Sequence, residues 1–135
     1  MKYFKAYELV DKQTYEEMGE KALSLFQPDA LIMLDDYREW IGVPVTVNNW
    51  YHGGPFQWRG LRNPRCPQYS KGSLHTLGGA FDSDAKGYTA EQIRQKILAD
   101  KDNDLLKKVM RMEAAVNWLH MDIKPGSNRI YLFKA

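Results

Sequence analysis

One cysteine and three histidines are all that this 135-residue chain contains of the two residue types that most often build covalent or metal-linked frameworks. With Cys66 alone, no internal disulfide can form, which fits a reducing compartment. No apolar run approaches the roughly 20 residues of a membrane span, and the opening stretch MKYFKAYELVDK lacks the apolar core of a secretory signal. These absences predict a protein made in the cytosol, without membrane insertion, that stays there unless something else releases it. A dominant charge is missing too. Lys and Arg number 19 against 17 Asp and Glu, a formal +2 that is evenly scattered and leaves no footprint for nucleic acid. No repeat, low-complexity tract or linker interrupts the text. One domain over residues 1–135, monomeric, with an ordinary globular balance of 44% hydrophobic and 27% charged residues, is expected.

What is present divides into helical and alternating segments. TYEE at Thr14–Glu17 is a capping-box pattern and predicts a helix to about Phe26, with Met18, Leu23 and Phe26 inward. PDALIMLDDYREWIG repeats Leu31, Leu34, Tyr37 and Ile41 at helical spacing and stops at Gly42. VPVTVNNW switches to period two, a strand with Val43, Val45 and Val47 on one face. Residues 48–71 are rich in Gly, Pro and aromatics and predict a long loop, a feature that is usually functional or disordered. Its Trp50, Tyr51, Phe56 and Trp58 either line a groove for glycan or peptide or form a satellite core. GGAFDSD predicts a strand after a glycine turn, and YTAEQIRQKILAD a helix capped by Thr89. In DNDLLKKVMRMEAAV a helical start at Leu105 and Leu106 competes with a strand over 110–116. NWLHMDIK alternates, and PGSN then RIYLFKA reads as a hairpin turn and a closing edge strand. The sum is an α+β fold with helices packed on a mostly antiparallel sheet.

Chemistry concentrates at two places. In WLHMDI, a strand puts Trp118, His120 and Asp122 on one face and Leu119, Met121 and Ile123 on the other. In SLHTLGGAFDSD, Gly78 and Gly79 let the chain turn between His75 and Asp82, so that both side chains reach one point. Asp82, alternating with Ala80 and Asp84, can then pair across the sheet with His120. Two neutral imidazoles and one carboxylate are three ligands for Zn²⁺ with a fourth position open to water, the arrangement of catalytic zinc. His52 reads as a loop residue. Glu113, seven residues before His120 and flanked by Met112 and Ala114, is the candidate general base, because apolar surroundings raise a carboxyl pKa toward neutrality. Arg59 and Arg62 in RGLRNP are either solvated loop residues or guanidinium groups that hold a substrate carboxylate or steady a developing oxyanion, which makes Arg62 a candidate catalytic as well as binding residue.

These residues together match a known pattern. SLHTLGGAFD fits S-x-H-x-x-G-x-A-x-D through Ser73, His75, Gly78, Ala80 and Asp82, and WLHMD fits W-x-H-x-D through Trp118, His120 and Asp122. The chain resembles the zinc D,D-carboxypeptidase and L-alanyl-D-glutamate endopeptidase family, of the hedgehog/DD-peptidase fold, and most of all its small phage- and prophage-encoded members. The resemblance covers roughly residues 43–123. It implies zinc held by His75, Asp82 and His120, a peptidoglycan stem peptide as substrate, and Arg62 and Ser73 as substrate-binding groups. Asp122 would orient His120 or another site group, with Trp118 beside it. One departure stands out: many family members place the catalytic Glu only a few residues before the last histidine. A bulge or turn at AAVN would absorb the longer spacing to Glu113, with Asp122 and Asp84 as the other carboxylates that could serve.

The expectation is therefore an endolysin-like zinc peptidase of the bacterial cell wall, acting after release from the cell or as part of a virion. A non-catalytic zinc-containing binding module of the same fold is the alternative, since fold and metal alone do not establish activity.

Overall fold

Asp11, not Thr14, starts the first helix. Its carboxylate accepts the Thr14 backbone N–H, so α1 spans Lys12–Met18 with Thr14 inside it. The expected continuation to Phe26 is not helical in the α sense. Gly19, at φ 58°, breaks the hydrogen-bond ladder, and the chain proceeds as a 3-10 helix over Gly19–Leu25. In this computed structural model, which describes all 135 residues, α2 follows at Pro28–Ile41. Proline stands in its first turn and Gly42 closes it in the left-handed conformation. Its inner face is Ala30, Met33, Leu34, Tyr37 and Ile41, with Leu31 only half-buried at the margin. α3 spans Ala90–Ala99 behind a reciprocal Thr89–Gln92 cap, as the sequence predicts.

The strands are β1 (Val45–Thr46), β2 (Ala80–Ala85), β3 (Arg111–Glu113), β4 (Leu119–Asp122) and β5 (Tyr131–Phe133), in the order β1-β2-β4-β3-β5. The fold is α+β, and the sheet is mixed: β1–β2, β2–β4 and β3–β4 are antiparallel, while β3–β5 is parallel. Two sequence expectations are corrected here. The strand over 43–47 shrinks to two paired residues, although Val45 and Val47 remain buried on one side. The final strand does not form a hairpin with β4. Both edges of β4 are already taken by β2 and β3, so the chain crosses over to the free edge of β3 and pairs there in parallel. Between α3 and β3, residues Asp104–Leu106 form one 3-10 turn and only Arg111–Glu113 is strand.

One sheet face carries Phe81, Met112, Leu119 and Met121, all fully buried in the core with α2 and α3 residues such as Tyr37, Ile93 and Ile97. Phe26 stacks on Phe81 with ring centroids 5.3 Å apart. The opposite face, alternating by the period of two, presents Asp82, His120, Asp122, Arg111 and Glu113. The long connection 48–79 lies across the molecule and is held by backbone contacts. Leu61 N–H donates to the Leu9 carbonyl (2.9 Å), and Gly60 passes so close to Leu9 that a Cβ there would stand 2.1 Å from its oxygen. Asn48 ties both ends of the aromatic stretch, donating to the Val10 and Gln57 carbonyls and accepting from Arg59 N–H. No helix is long and apolar enough to cross a membrane.

Candidate metal centre

Asp82 and His120 face each other directly across β2 and β4, the register that alternation predicts. His75 reaches them from the turn before β2. There Gly79 N–H donates to the Leu74 carbonyl and Gly79 carbonyl accepts from Ile123 N–H, which fastens the turn to the end of β4. Gly78 takes φ 73°, and a Cβ on it would lie 2.6 Å from the Leu25 carbonyl oxygen. Gly78 is therefore required twice, for conformation and for close approach.

His75 Nε2 and His120 Nδ1 converge on one oxygen of Asp82, at 3.2 and 2.9 Å. One ligand atom from each of the three residues lies within 4.8 Å of the other two, and all three side chains are buried. The outward nitrogens are also engaged. His75 Nδ1–H donates to the Gly60 carbonyl (2.8 Å) and His120 Nε2–H to the Asp122 carboxylate (2.8 Å). A carbonyl and a carboxylate only accept, so the outer nitrogens keep their protons, and the inner ones, which bond to Asp82 in the metal-free protein, are those that would turn their lone pairs to an ion. The three residues thus form a buried group that can hold a metal ion.

Electrostatics agrees with that arrangement. Burial works against a charged Asp82, yet hydrogen bonds from His120 and His75 outweigh it and hold the carboxyl well below its usual range. Asp122 is likewise lowered: against the cost of burial stand bonds from His120 and Arg111. Burial disfavours an imidazolium at His120, but its bonds to Asp122 and Asp82 prevail and raise it to about 9 in the metal-free protein. The carboxylates are thus ionised and available, and an entering metal ion would displace a proton from His120.

The remaining predicted residues fall into two sets. Glu113, Ser73, Arg62 and Trp118 share with the three ligand residues the wall of one cavity of about 420 Å³. Continuing the β3–β4 register by one residue past Met112–Met121 puts Glu113 opposite His120, so Asp82, His120 and Glu113 form a row across three strands. The spacing of seven is a cross-strand pairing with a loop between. The Glu113 carboxylate makes no hydrogen bond or ion pair, unlike every other carboxylate near the metal residues. Its expected apolar setting is not found, because Arg62, Arg111 and Lys124 share the cavity wall. Ser73 accepts the His75 N–H and so also braces the turn. Arg62 donates from Nε to the Trp58 carbonyl (2.9 Å) and from one terminal nitrogen to Asp82 (3.2 Å). The Trp118 indole N–H is buried without a partner.

The second set stands apart. Asp84 is gripped by both terminal nitrogens of Arg59 and lines a neighbouring groove of about 640 Å³, with Phe56 and Trp58, rather than the metal cavity. Asp122 is fully engaged by Arg111 and His120. Neither is free to act as a base. His52 packs against Tyr7 and Tyr51. The aromatic loop divides: Phe56 and Trp58 face the groove, while Trp50 and Tyr51 join Tyr7 and Tyr15 in a satellite cluster.

Sequence reading missed four contributors. Gly60 acts through its carbonyl, which no residue type signals. Arg111 forks Asp122, and alternation in RME could have placed it beside that residue. Phe133 packs its ring edge-on to His120 (5.3 Å) and under the Arg111 guanidinium (4.2 Å) from the parallel β5. Lys124 lies on the cavity wall past the end of β4. No protein-family model, curated protein or solved structure matches the chain.

Proposed function

We propose that the protein is a zinc peptidase of the D,D-carboxypeptidase or L-alanyl-D-glutamate endopeptidase kind, hydrolysing stem peptides of bacterial peptidoglycan. The observation that carries this reading is the convergence of two tautomer-fixed imidazoles and one carboxylate beside Glu113, a carboxylate without a partner. Zinc, when bound there, supplies Lewis-acid polarisation of a peptide carbonyl and acidifies water. Glu113 takes the proton from the attacking water and passes it to the leaving amine, the work of a general base and then acid. Arg62 has donors left after its bonds to Trp58 and Asp82, and these bind substrate oxygen, with the Ser73 hydroxyl beside them. Arg111 holds Asp122, and Asp122 holds His120, so the ligand ring does not swing when the metal is absent. The hedgehog/DD-peptidase fold and a role in lysis or in a virion belong to the same reading, on the strength of the two sequence motifs.

Elemental analysis of wild type beside Asp82→Ala, followed by mass spectrometry of purified peptidoglycan digested by wild type and Glu113→Gln, tests it. One zinc per chain, absent in Asp82→Ala, is expected. Glu113→Gln should keep the metal and lose turnover by at least about a hundredfold. Bound zinc without any cleavage would make the protein a metal-containing binding module, and no metal after reconstitution would remove both readings.

A further inference from the structure

The connection from β3 to β4, residues 114–118, separates Glu113 from Trp118 and His120. It is short of its own hydrogen bonds and contains Ala115 at φ 63°, a conformation that side chains other than glycine rarely adopt. Such a conformation persists only where the surroundings over-determine it. Here Ala114 N–H donates to the Phe133 carbonyl (2.7 Å), and the rest of the loop is held by one side chain. Arg94, on α3, is 4% exposed and is the only buried lysine or arginine of the chain. One terminal nitrogen donates to the Glu113 (3.4 Å) and Trp118 (3.2 Å) carbonyls, and the other to the Val116 carbonyl (2.9 Å). Its one anionic partner, Glu91, is bonded through Nε at 2.8 Å and its side chain is 62% exposed. Burying a guanidinium against so solvated a carboxylate is unfavourable unless backbone oxygens complete its shell. At an inward position of α3 between Ile93 and Ile97, an aliphatic side chain would serve packing alone.

We propose that Arg94 is a positioning residue, whose fork over three carbonyls fixes the loop so that Glu113 and Trp118 stand on the wall of the metal cavity. This rests on the reading of Glu113 as the proton-transferring group. The ligands His75, Asp82 and His120 sit outside the loop, so the clamp governs turnover rather than metal binding. Lysine at 94 keeps the charge but offers a point-like ammonium that does not match the three oxygens of the fork. Methionine keeps much of the packing and none of the bonds.

The test compares wild type, Arg94→Lys and Arg94→Met for zinc content, for kcat and KM on purified peptidoglycan fragments, and for amide hydrogen exchange resolved to residues 113–119. Full zinc content, a kcat lowered by roughly tenfold to a hundredfold with KM within about twofold, and faster exchange confined to that segment are expected. A purely structural arginine would instead loosen the whole of α3 and the sheet together. Should Arg94→Met fail to fold, Arg94→Lys alone decides. Wild-type kcat in a folded variant, or unchanged protection of the loop, overturns the proposal. A wild type that binds zinc and cuts nothing removes the peptidase reading, and exchange then decides the clamp by itself: selective loss of loop protection supports it, unchanged protection overturns it.

Discussion

His75 and His120 use one side chain in two opposite tautomers, and each choice is made by an acceptor outside the metal group: a backbone carbonyl for His75 and a carboxylate for His120. Removing the second acceptor, with Asp122→Ala, leaves His120 free to turn and Arg111 unpaired. Metal affinity should fall by about ten- to a hundredfold, as read by titration against a competing chelator. A second expectation concerns pH in the metal-free protein. His120 is raised from an ordinary 6.5 to about 9, so the native state binds its proton more tightly than the unfolded chain does. That contribution to stability is complete below about pH 6.5 and is lost as pH rises through about 9. Thermal melts of chelator-treated protein should therefore show a midpoint falling across this window. In the zinc-loaded protein the fall should vanish, because the ion occupies the nitrogen that would carry the proton. At this scale the sequence was informative about residue type: two histidines and an aspartate in the right alternation were legible. The Gly60 carbonyl was not, since a backbone oxygen is the same for every residue and only the close pass along Leu9 puts it in reach.

Among the elements, register governs. The β2–β4 pairing was legible because a slip of one residue would send Phe81 and Met121 to the site face and Asp82 and His120 into the core. The β3–β5 pairing was not, because hairpin signals such as PGSN are local while the edge a strand finally joins depends on which edges remain open. Nor were the bounds of α1 legible: Gly19 ended it against a run of helix formers, and the Asp11 carboxylate, capping Thr14 N–H, set its start three residues before Thr14. The turn at Gly78 gives the sharpest element-level test. Gly78→Ala forces a side chain into a left-handed position and against the Leu25 carbonyl. Unfolding free energy should drop by more than about 1 kcal/mol, and zinc affinity should drop with it because His75 is carried by the same turn. Gly72→Ala, with open space around its Cα and no left-handed backbone, should leave both unchanged. Equal effects of the two substitutions in melts and metal titrations would refute the turn's role.

For the whole molecule, His75, Asp82 and His120 bring together parts of the chain that share little else, with Asp82 and His120 alone 38 positions apart. An ion held by these residues would do for a chain with one cysteine what a disulfide does elsewhere, tying the glycine turn, β2 and β4 at a single node. It differs from a disulfide in being adjustable. An ion that binds only the folded chain stabilises it by an amount set by free metal relative to the dissociation constant, about 4 kcal/mol at a thousandfold excess and nothing in its absence. Resistance to unfolding and to proteolysis should consequently track the zinc buffer in which the protein is placed, rising smoothly over decades of free metal, and Asp82→Ala should abolish the dependence. The protein would then read its surroundings, as a strap that tightens where zinc is plentiful and slackens where it is scarce.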